Sequence, residues 1–200
     1  MDNNVIFKLF PEPIFKYKLN NFKEINKHLS NYIYQLKDED KDGLNRSNKG
    51  GWHSKNFKLG IKDSIQQRFA LEVQKNILDV FKNYGWKTNN VQIRIREMWA
   101  IINKNEDFNV LHSHPNCYLS AAYYVKAPKD CGKFEVECPN IIKKNLYPEI
   151  ERKNDLNISV VSIDIDEGDL LFFPSYLPHK VAINKSGEDR IVISFNIDVK

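Results

Sequence analysis

Three of the five histidines in this chain fall in two short motifs, Leu111-His112-Ser113-His114-Pro115 and Pro174-Ser175-Tyr176-Leu177-Pro178-His179. In extended backbone, residues i and i+2 point to the same side, so His112 and His114 can offer both imidazoles to one ion. A third ligand from a distant strand, with His179 the candidate, would close one face of an octahedron and leave the opposite positions open. Neutral imidazoles suit iron, zinc, copper or nickel alike, so the ligand types do not name the metal.

Eleven residues after His179 comes Arg190. It opens a last strand in which alternation puts Arg190, Val192, Ser194 and Asn196 on one face and Ile191, Ile193, Phe195 and Ile197 on the other. A guanidinium on an inner face requires an oxyanion, and no acidic residue occupies a matching inner position. A small dicarboxylate gripped at its far end meets that requirement. Asp107 and Glu106 are carboxylates close to the histidine pair, but the Asn103–Asn109 stretch reads as a solvated turn.

The elements that must position these groups fall into two halves. Asn21 reads as an N-cap with Glu24 three residues on, followed by Phe22, Ile25, Leu29, Tyr32 and Leu36 at helical spacing. A second helix is expected from Asp63, with Gln66 completing a capping box and Ile65, Phe69, Val73, Ile77, Val80 and Phe81 forming one stripe up to Gly85. Pro11 and Pro13 mark a turn after the apolar run Val5–Phe10, and Ile14–Tyr17 reads as an edge strand. Between the helices, Lys37–Phe57 is too long for an ordinary connection and reads as a lid or entry loop. Within it, Trp52 is either an anchor on the body or, with His53, a substrate contact.

From Val91 onward the chain consists of short β-branched and aromatic runs: Val91–Ile102, Tyr118–Val125, Gly132–Glu137, Ser159–Ile165, Asp169–Phe173, Lys180–Ile183 and Ile191–Ile197. Gly and Pro punctuate them, as a sandwich or jelly roll requires. The fold class is therefore mainly β with N-terminal helices (α+β). Residues 1–200 form one domain, with helical support and the lid loop in 1–90 and a jelly-roll core in 91–200. Tyr123 reads as a core aromatic, Trp99 and Phe134 as packing residues, and Tyr124 as either core or site.

The bulk properties set limits on function. Of 200 residues, 42% are hydrophobic and 28% charged, which suits one filled core. The net charge of +4 is spread as alternating signs, which argues against a nucleic-acid partner. No stretch approaches the roughly 18 apolar residues that span a bilayer, and the first ten residues have no apolar signal core, so no membrane partner and a cytoplasmic location are expected. Cys117, Cys131 and Cys138 are odd in number and form no Cys-x-x-Cys pair, which fits a reducing compartment. A homodimer stays open. The abundance of Lys, Asn and Ile fits an AT-rich genome such as that of a marine bacterium or a phage.

Several stretches in combination resemble one family: Leu9-Phe10-Pro11, Gly50-Gly51-Trp52-His53-Ser54, Trp99, His112-Ser113-His114-Pro115, Leu119 to Val125, Phe172 to Val181, and Arg190 to Asn196. In these the chain is similar to bacterial and phage 2-oxoglutarate/iron(II) oxygenases, themselves distantly similar to prolyl hydroxylases. The resemblance covers nearly the whole chain. It implies a double-stranded β-helix (jelly roll, cupin-like) and Fe(II), 2-oxoglutarate and dioxygen as cofactor and co-substrates. It further implies that His112, His114 and His179 bind the metal, and that Arg190 binds the distal carboxylate of 2-oxoglutarate with Tyr124 and Ser194 assisting. The implied reaction couples decarboxylation of 2-oxoglutarate to succinate with hydroxylation of a small molecule or a protein side chain. One position departs from the wider pattern: His114 stands where that superfamily has Asp or Glu. Two other classes remain open on the residues, a three-histidine cupin-type dioxygenase without 2-oxoglutarate and a non-enzymatic metal- or ligand-binding jelly roll.

Overall fold

Alternation in the second half of the chain produces strands, and their pairing produces two antiparallel sheets. A computed structural model describes residues 5–145 and 148–200, with the side chains at 143 and 144 outside the description. The first four residues of the expected leader-free start also lie outside it. The elements in chain order are β1 (Phe15–Lys18), α1 (Phe22–Glu39), β2 (Asn48–Lys49), β3 (Trp52–His53), α2 (Ile65–Glu72), α3 (Gln74–Asn83), β4 (Ile93–Asn103) and β5 (Phe108–His112). There follow β6 (Leu119–Lys126), β7 (Phe134–Glu137), α4 (Ile141–Asn145), β8 (Val160–Ile163), β9 (Asp169–Pro174), β10 (His179–Val181) and β11 (Arg190–Val199).

The larger sheet runs β1-β9-β6-β11-β4-β3 and the smaller β2-β5-β10-β7-β8. Every pairing is antiparallel, the jelly-roll arrangement of a double-stranded β-helix. Along β11 the alternation holds. Ile191, Ile193, Phe195 and Ile197 are buried under the helices in the main core, while Val192 joins the second core between the sheets with Tyr124, Phe134 and Phe173.

The helices cover the outer face of the larger sheet. From α1, Leu29 and Ile33 are fully buried, and buried Asn26 accepts a hydrogen bond from Tyr123 Oη at 2.6 Å. Tyr123 is therefore a core aromatic on the helix side, as its strand parity predicts. Asn21 makes no side-chain cap. The second expected helix is two, α2 and α3, broken at Val73, and its cap is Ser64, whose side chain accepts from the Gln67 backbone N–H, not Asp63. Asp63 has φ of 61°, a left-handed conformation outside the helix. Phe69, Val73, Ile77, Val80 and Phe81 all remain buried across the break, so the apolar stripe continues through both helices.

The first 90 residues do more than support the core, because β1 edges the larger sheet and the loop between α1 and α2 supplies β2 and β3, one strand to each sheet. Trp52 is the anchor of that loop: it is buried in the main core and donates from Nε1 to the Asp40 carbonyl at 2.7 Å. Gly50 makes the approach possible. At φ of 80° it lies so close to the 104–107 turn that a Cβ would meet Asp107 Oδ1 at 1.7 Å. No described helix is long and apolar enough to cross a membrane.

Candidate metal centre

The smaller sheet brings the first and third histidines together by register. His112 ends β5, His179 opens β10, and the two are directly paired. The stretch Asn103–Asn109, expected as a turn, takes in the last residue of β4, the connection at 104–107 and the first two residues of β5. His114 lies just beyond β5, where its backbone N–H donates to the Ser175 carbonyl at 2.8 Å and fixes it against the turn before His179. Ring centroids are 4.4 Å apart for His112 and His179, 5.1 Å for His112 and His114, and 5.2 Å for His114 and His179. One ligating nitrogen from each ring lies within 4.8 Å of the others, and these three form the one such cluster among the described residues.

Two of the tautomers follow from the partners. His112 Nδ1 faces the Val110 carbonyl at 2.7 Å, and His179 Nδ1 faces the Leu177 carbonyl at 2.8 Å. A carbonyl only accepts, so each Nδ1 carries the proton and each Nε2 keeps a free lone pair. Burial holds all three rings below the usual imidazole range. His179, packed against Phe173 and Phe134, falls to about 3, with the neighbouring histidines adding to the effect. His114 falls to about 4 through burial and the proximity of His112, and His112 is lowered by burial. His114 and His179 therefore stay neutral, as metal ligands must be, well below neutral pH, and the shift at His112 acts in the same direction.

Above about pH 6.5 an unfolded histidine is neutral too, so these rings impose no proton-linked penalty there. As the pH falls below that value the unfolded chain takes up protons that folded His114 and His179 refuse until about pH 4 and about pH 3, so the metal-free protein should lose stability progressively through that window. Melting temperatures of chelator-treated protein between pH 7.5 and 4.5 measure this, and His179→Gln should flatten the curve relative to the native chain.

Beneath the histidines is a narrow inner chamber between the sheets, into which Arg190, Tyr124, Ser194, Asn103, Trp99 and Phe134 project. Arg190 is 0% exposed. Its Nη1 donates to the carbonyls of Cys131 and Ala182, the latter at 3.0 Å, while Nε and Nη2 have no partner. No ion pair reaches it among the described residues. Gly132, at φ of 89°, makes that cradle possible, since a Cβ there would sit 2.2 Å from the Ala182 carbonyl oxygen and 2.8 Å from Arg190 Nη1. Tyr124 is fully buried with its hydroxyl unpartnered. Burial raises its pKa, so the phenol stays protonated and able to donate.

Asn103 Nδ2 and Trp99 Nε1 are likewise buried and unpartnered. Of the eight buried side-chain nitrogen and oxygen atoms without a partner among the described residues, five belong to Arg190, Tyr124, Asn103 and Trp99 around this chamber. All five can donate. Orphaned donors cost about 1–3 kcal/mol each when left unsatisfied, so their concentration in one place marks the seat of an acceptor-rich ligand.

On the other side of the histidines a cavity of about 790 Å³ opens to solvent, bordered by Arg46, His53, Lys55, Arg96, Glu97 and Asn196. Trp99, with Ser47, His112 and His114, borders both this cavity and the inner chamber. Its indole is stacked between His53 and His114, with centroids 5.7 Å from each and interplanar angles of 10° and 19°. Trp99 and Phe134 thus line the site as well as pack. Asp107 is not part of the cluster, because its Oδ2 accepts from the Lys104 backbone N–H at 2.7 Å and closes the β4–β5 turn. Asn103 escapes sequence reading because a buried Asn at a strand end looks like any turn residue. Only its register pairing with Arg190, which no stretch of sequence contains, brings it to the chamber.

A sequence profile described as "Putative 2OG-Fe(II) oxygenase", where 2OG is 2-oxoglutarate, matches residues 97–196, half of the chain. No protein of curated function matches the sequence significantly. Among solved structures, a Pseudomonas putida prolyl-4-hydroxylase is similar with TM-score 0.65 at 12% identity, covering 92% of both chains. HygX from Streptomyces hygroscopicus, solved with nickel, 2-oxoglutarate and hygromycin B, is similar with TM-score 0.64 at 13% identity, covering 94% of this chain and 83% of that one. A prolyl hydroxylase from Trichoplax adhaerens, in complex with a hypoxia inducible factor peptide, gives 0.62 at 13% identity over 92% of this chain and 83% of that one. At such identities the likeness establishes the fold.

Proposed function

We propose, from the premise that this chain belongs to the family of 2OG-Fe(II) oxygenases, that His112, His114 and His179 hold the iron and that the chamber beneath them receives 2-oxoglutarate. The observation that carries this reading is the set of five unpartnered buried donors around that chamber, directly below a cluster of three neutral imidazoles. The donor set suits a dicarboxylate. Two guanidinium nitrogens and a protonated phenol are free to bind one carboxylate end, and Ser194 lies on the same inner face of β11.

Bound there, iron(II) supplies the activation of dioxygen that couples oxidation of 2-oxoglutarate to succinate and carbon dioxide with hydroxylation of a second substrate. The chain's own residues do the positioning. Val110 and Leu177 fix two ring tautomers, Arg190 sets the depth at which a dicarboxylate stops, and the buried walls of Phe134, Phe173 and Val192 keep water from the chamber. The hydroxylated substrate enters from the 790 Å³ cavity, where His53 and Arg46 sit on the loop pinned by Trp52. HygX, with hygromycin B, and the Trichoplax enzyme, with a peptide, are solved with ligands of different classes, and a small molecule or a protein side chain is the substrate class proposed here.

The test is succinate formation. Protein prepared without oxygen, supplied with iron(II) and 2-oxoglutarate and then exposed to oxygen, should release succinate slowly even with no second substrate. Metal-loaded protein that consumes no 2-oxoglutarate would return the three-histidine dioxygenase without 2-oxoglutarate, or the binding module, to first place.

A further inference from the structure

Of the five orphaned donors around the inner chamber, three belong to Arg190 and Tyr124, and the other two are Trp99 Nε1 and Asn103 Nδ2. Trp99 also borders the outer cavity, whereas Asn103 lines the inner chamber only. Asn103 is 1% exposed and ends β4, where it is register-paired with Arg190 at the start of β11. Directly opposed residues of an antiparallel pair project to the same face with Cβ atoms about 4.5–5.5 Å apart, so the amide and the guanidinium can reach one small ligand together. The surrounding chain holds Asn103 in place without using its donor. Its main-chain carbonyl accepts from Asn184 Nδ2 at 3.0 Å. Behind the amide lies Gly51, where a Cβ would sit 2.6 Å from Asn103 Nδ2, and Asn48 Nδ2 fixes the Gly51 carbonyl at 2.6 Å. A buried amide that is positioned and left unpaired requires an acceptor from outside the chain.

We propose that Asn103 is a co-substrate-binding residue, donating from Nδ2 to the carboxylate that Arg190 and Tyr124 hold, so that the chamber selects a 2-oxo acid ending in a second carboxylate. The inference rests on the reading of the chamber as the seat of 2-oxoglutarate and adds the residue that completes its specificity. An ionised carboxylate offers roughly four lone-pair sites. Arg190 Nε and Nη2, Tyr124 Oη and Asn103 Nδ2 are four unpartnered donors. A 2-oxo acid without the distal carboxylate would set an apolar end among these donors and leave all of them unsatisfied, which is how a hydrogen-bonding site rejects an analogue that lacks the matching group.

Calorimetric titration of cobalt-loaded protein under anaerobic conditions tests this without turnover, by comparing 2-oxoglutarate with 2-oxopentanoate, which has a methyl group in place of the distal carboxylate. Asn103→Ala should bind 2-oxoglutarate about 10–100-fold more weakly than the native chain, the loss expected for one hydrogen bond to a charged group. The two proteins should bind 2-oxopentanoate within a few-fold of each other, because a methyl group takes nothing from the amide. A purely structural role would weaken both ligands alike, and that result overturns the proposal. Asn103→Asp keeps the shape of the side chain but sets one carboxylate against another, and it should lose more 2-oxoglutarate affinity than Asn103→Ala. Native affinity in either folded variant would refute the role. Arg190→Met separates this failure from that of the underlying reading. If it binds 2-oxoglutarate as the native chain does, the chamber itself is not the seat; if it loses affinity while Asn103→Ala keeps it, the assignment of Asn103 alone is wrong.

Discussion

Arg190→Met is expected to weaken 2-oxoglutarate binding at least about a hundredfold while leaving metal affinity within a few-fold of native. Truncating one partner of a buried, hydrogen-bonded charge pair costs about 2–5 kcal/mol, which corresponds to roughly 30-fold to several thousand-fold in affinity. Arg190 belongs at the upper part of that range, because it is 0% exposed and forms no ion pair among the described residues. In the ligand-free protein the same group is a liability. Burial lowers its pKa, Nε and Nη2 are unpartnered, and an apolar side chain of similar length should leave thermal stability equal or higher. Calorimetric titration of metal-loaded protein with 2-oxoglutarate, read beside a melting curve, separates the two effects. Native affinity in Arg190→Met would remove the chamber from consideration as the 2-oxoglutarate site.

The second large effect is expected at His179. It is the most enclosed of the three rings, at 3% exposure, with Phe173 at 4.6 Å and Phe134 at 5.4 Å between centroids. Its neutral form and fixed tautomer are therefore set before any ion arrives. His179→Ala should reduce iron(II) or cobalt(II) affinity by about a thousandfold or more and bring succinate formation below detection. Metal-dependent stabilisation is the cleaner readout, since the substitution also leaves a cavity that costs about 2–4 kcal/mol by itself. With free metal at a hundred times its dissociation constant the native protein should gain about 2.7 kcal/mol, and the variant should gain nothing at the same concentration. Equal metal-induced shifts in both proteins would show that the ion binds elsewhere.

Both effects concern residues that stand out in the linear chain. His112 and His114 are two apart, His179 follows a Pro-Ser-Tyr-Leu-Pro turn, and Arg190 begins a run whose odd and even positions differ in polarity. Strand parity also separated Tyr123 from Tyr124 before their surroundings were known: one bonds to Asn26 under the helices, the other faces the chamber. The failures have physical causes as well. The turn expected over Asn103–Asn109 takes in Phe108 and Asn109 of β5, because the polar run at 103–107 continues into Asn109 and masks where the strand begins. The break at Val73 left no mark, since the apolar spacing continues through both helices.

What the sequence determined by itself was whatever depends on local geometry: the alternation that points Arg190, Val192, Ser194 and Asn196 one way, the helical stripe from Ile65 to Phe81, and the short span that puts two imidazoles side by side. What only the tertiary structure decided was which strands lie together. Pairing β11 between β4 and β6 sets Arg190 opposite Asn103 and Asn196 between Glu97 and Ser120, and pairing β10 with β5 sets His179 opposite His112. A strand's two faces are fixed by its own backbone. Its neighbours are chosen by burial and hydrogen bonding summed over the whole chain, and no window of sequence contains that sum.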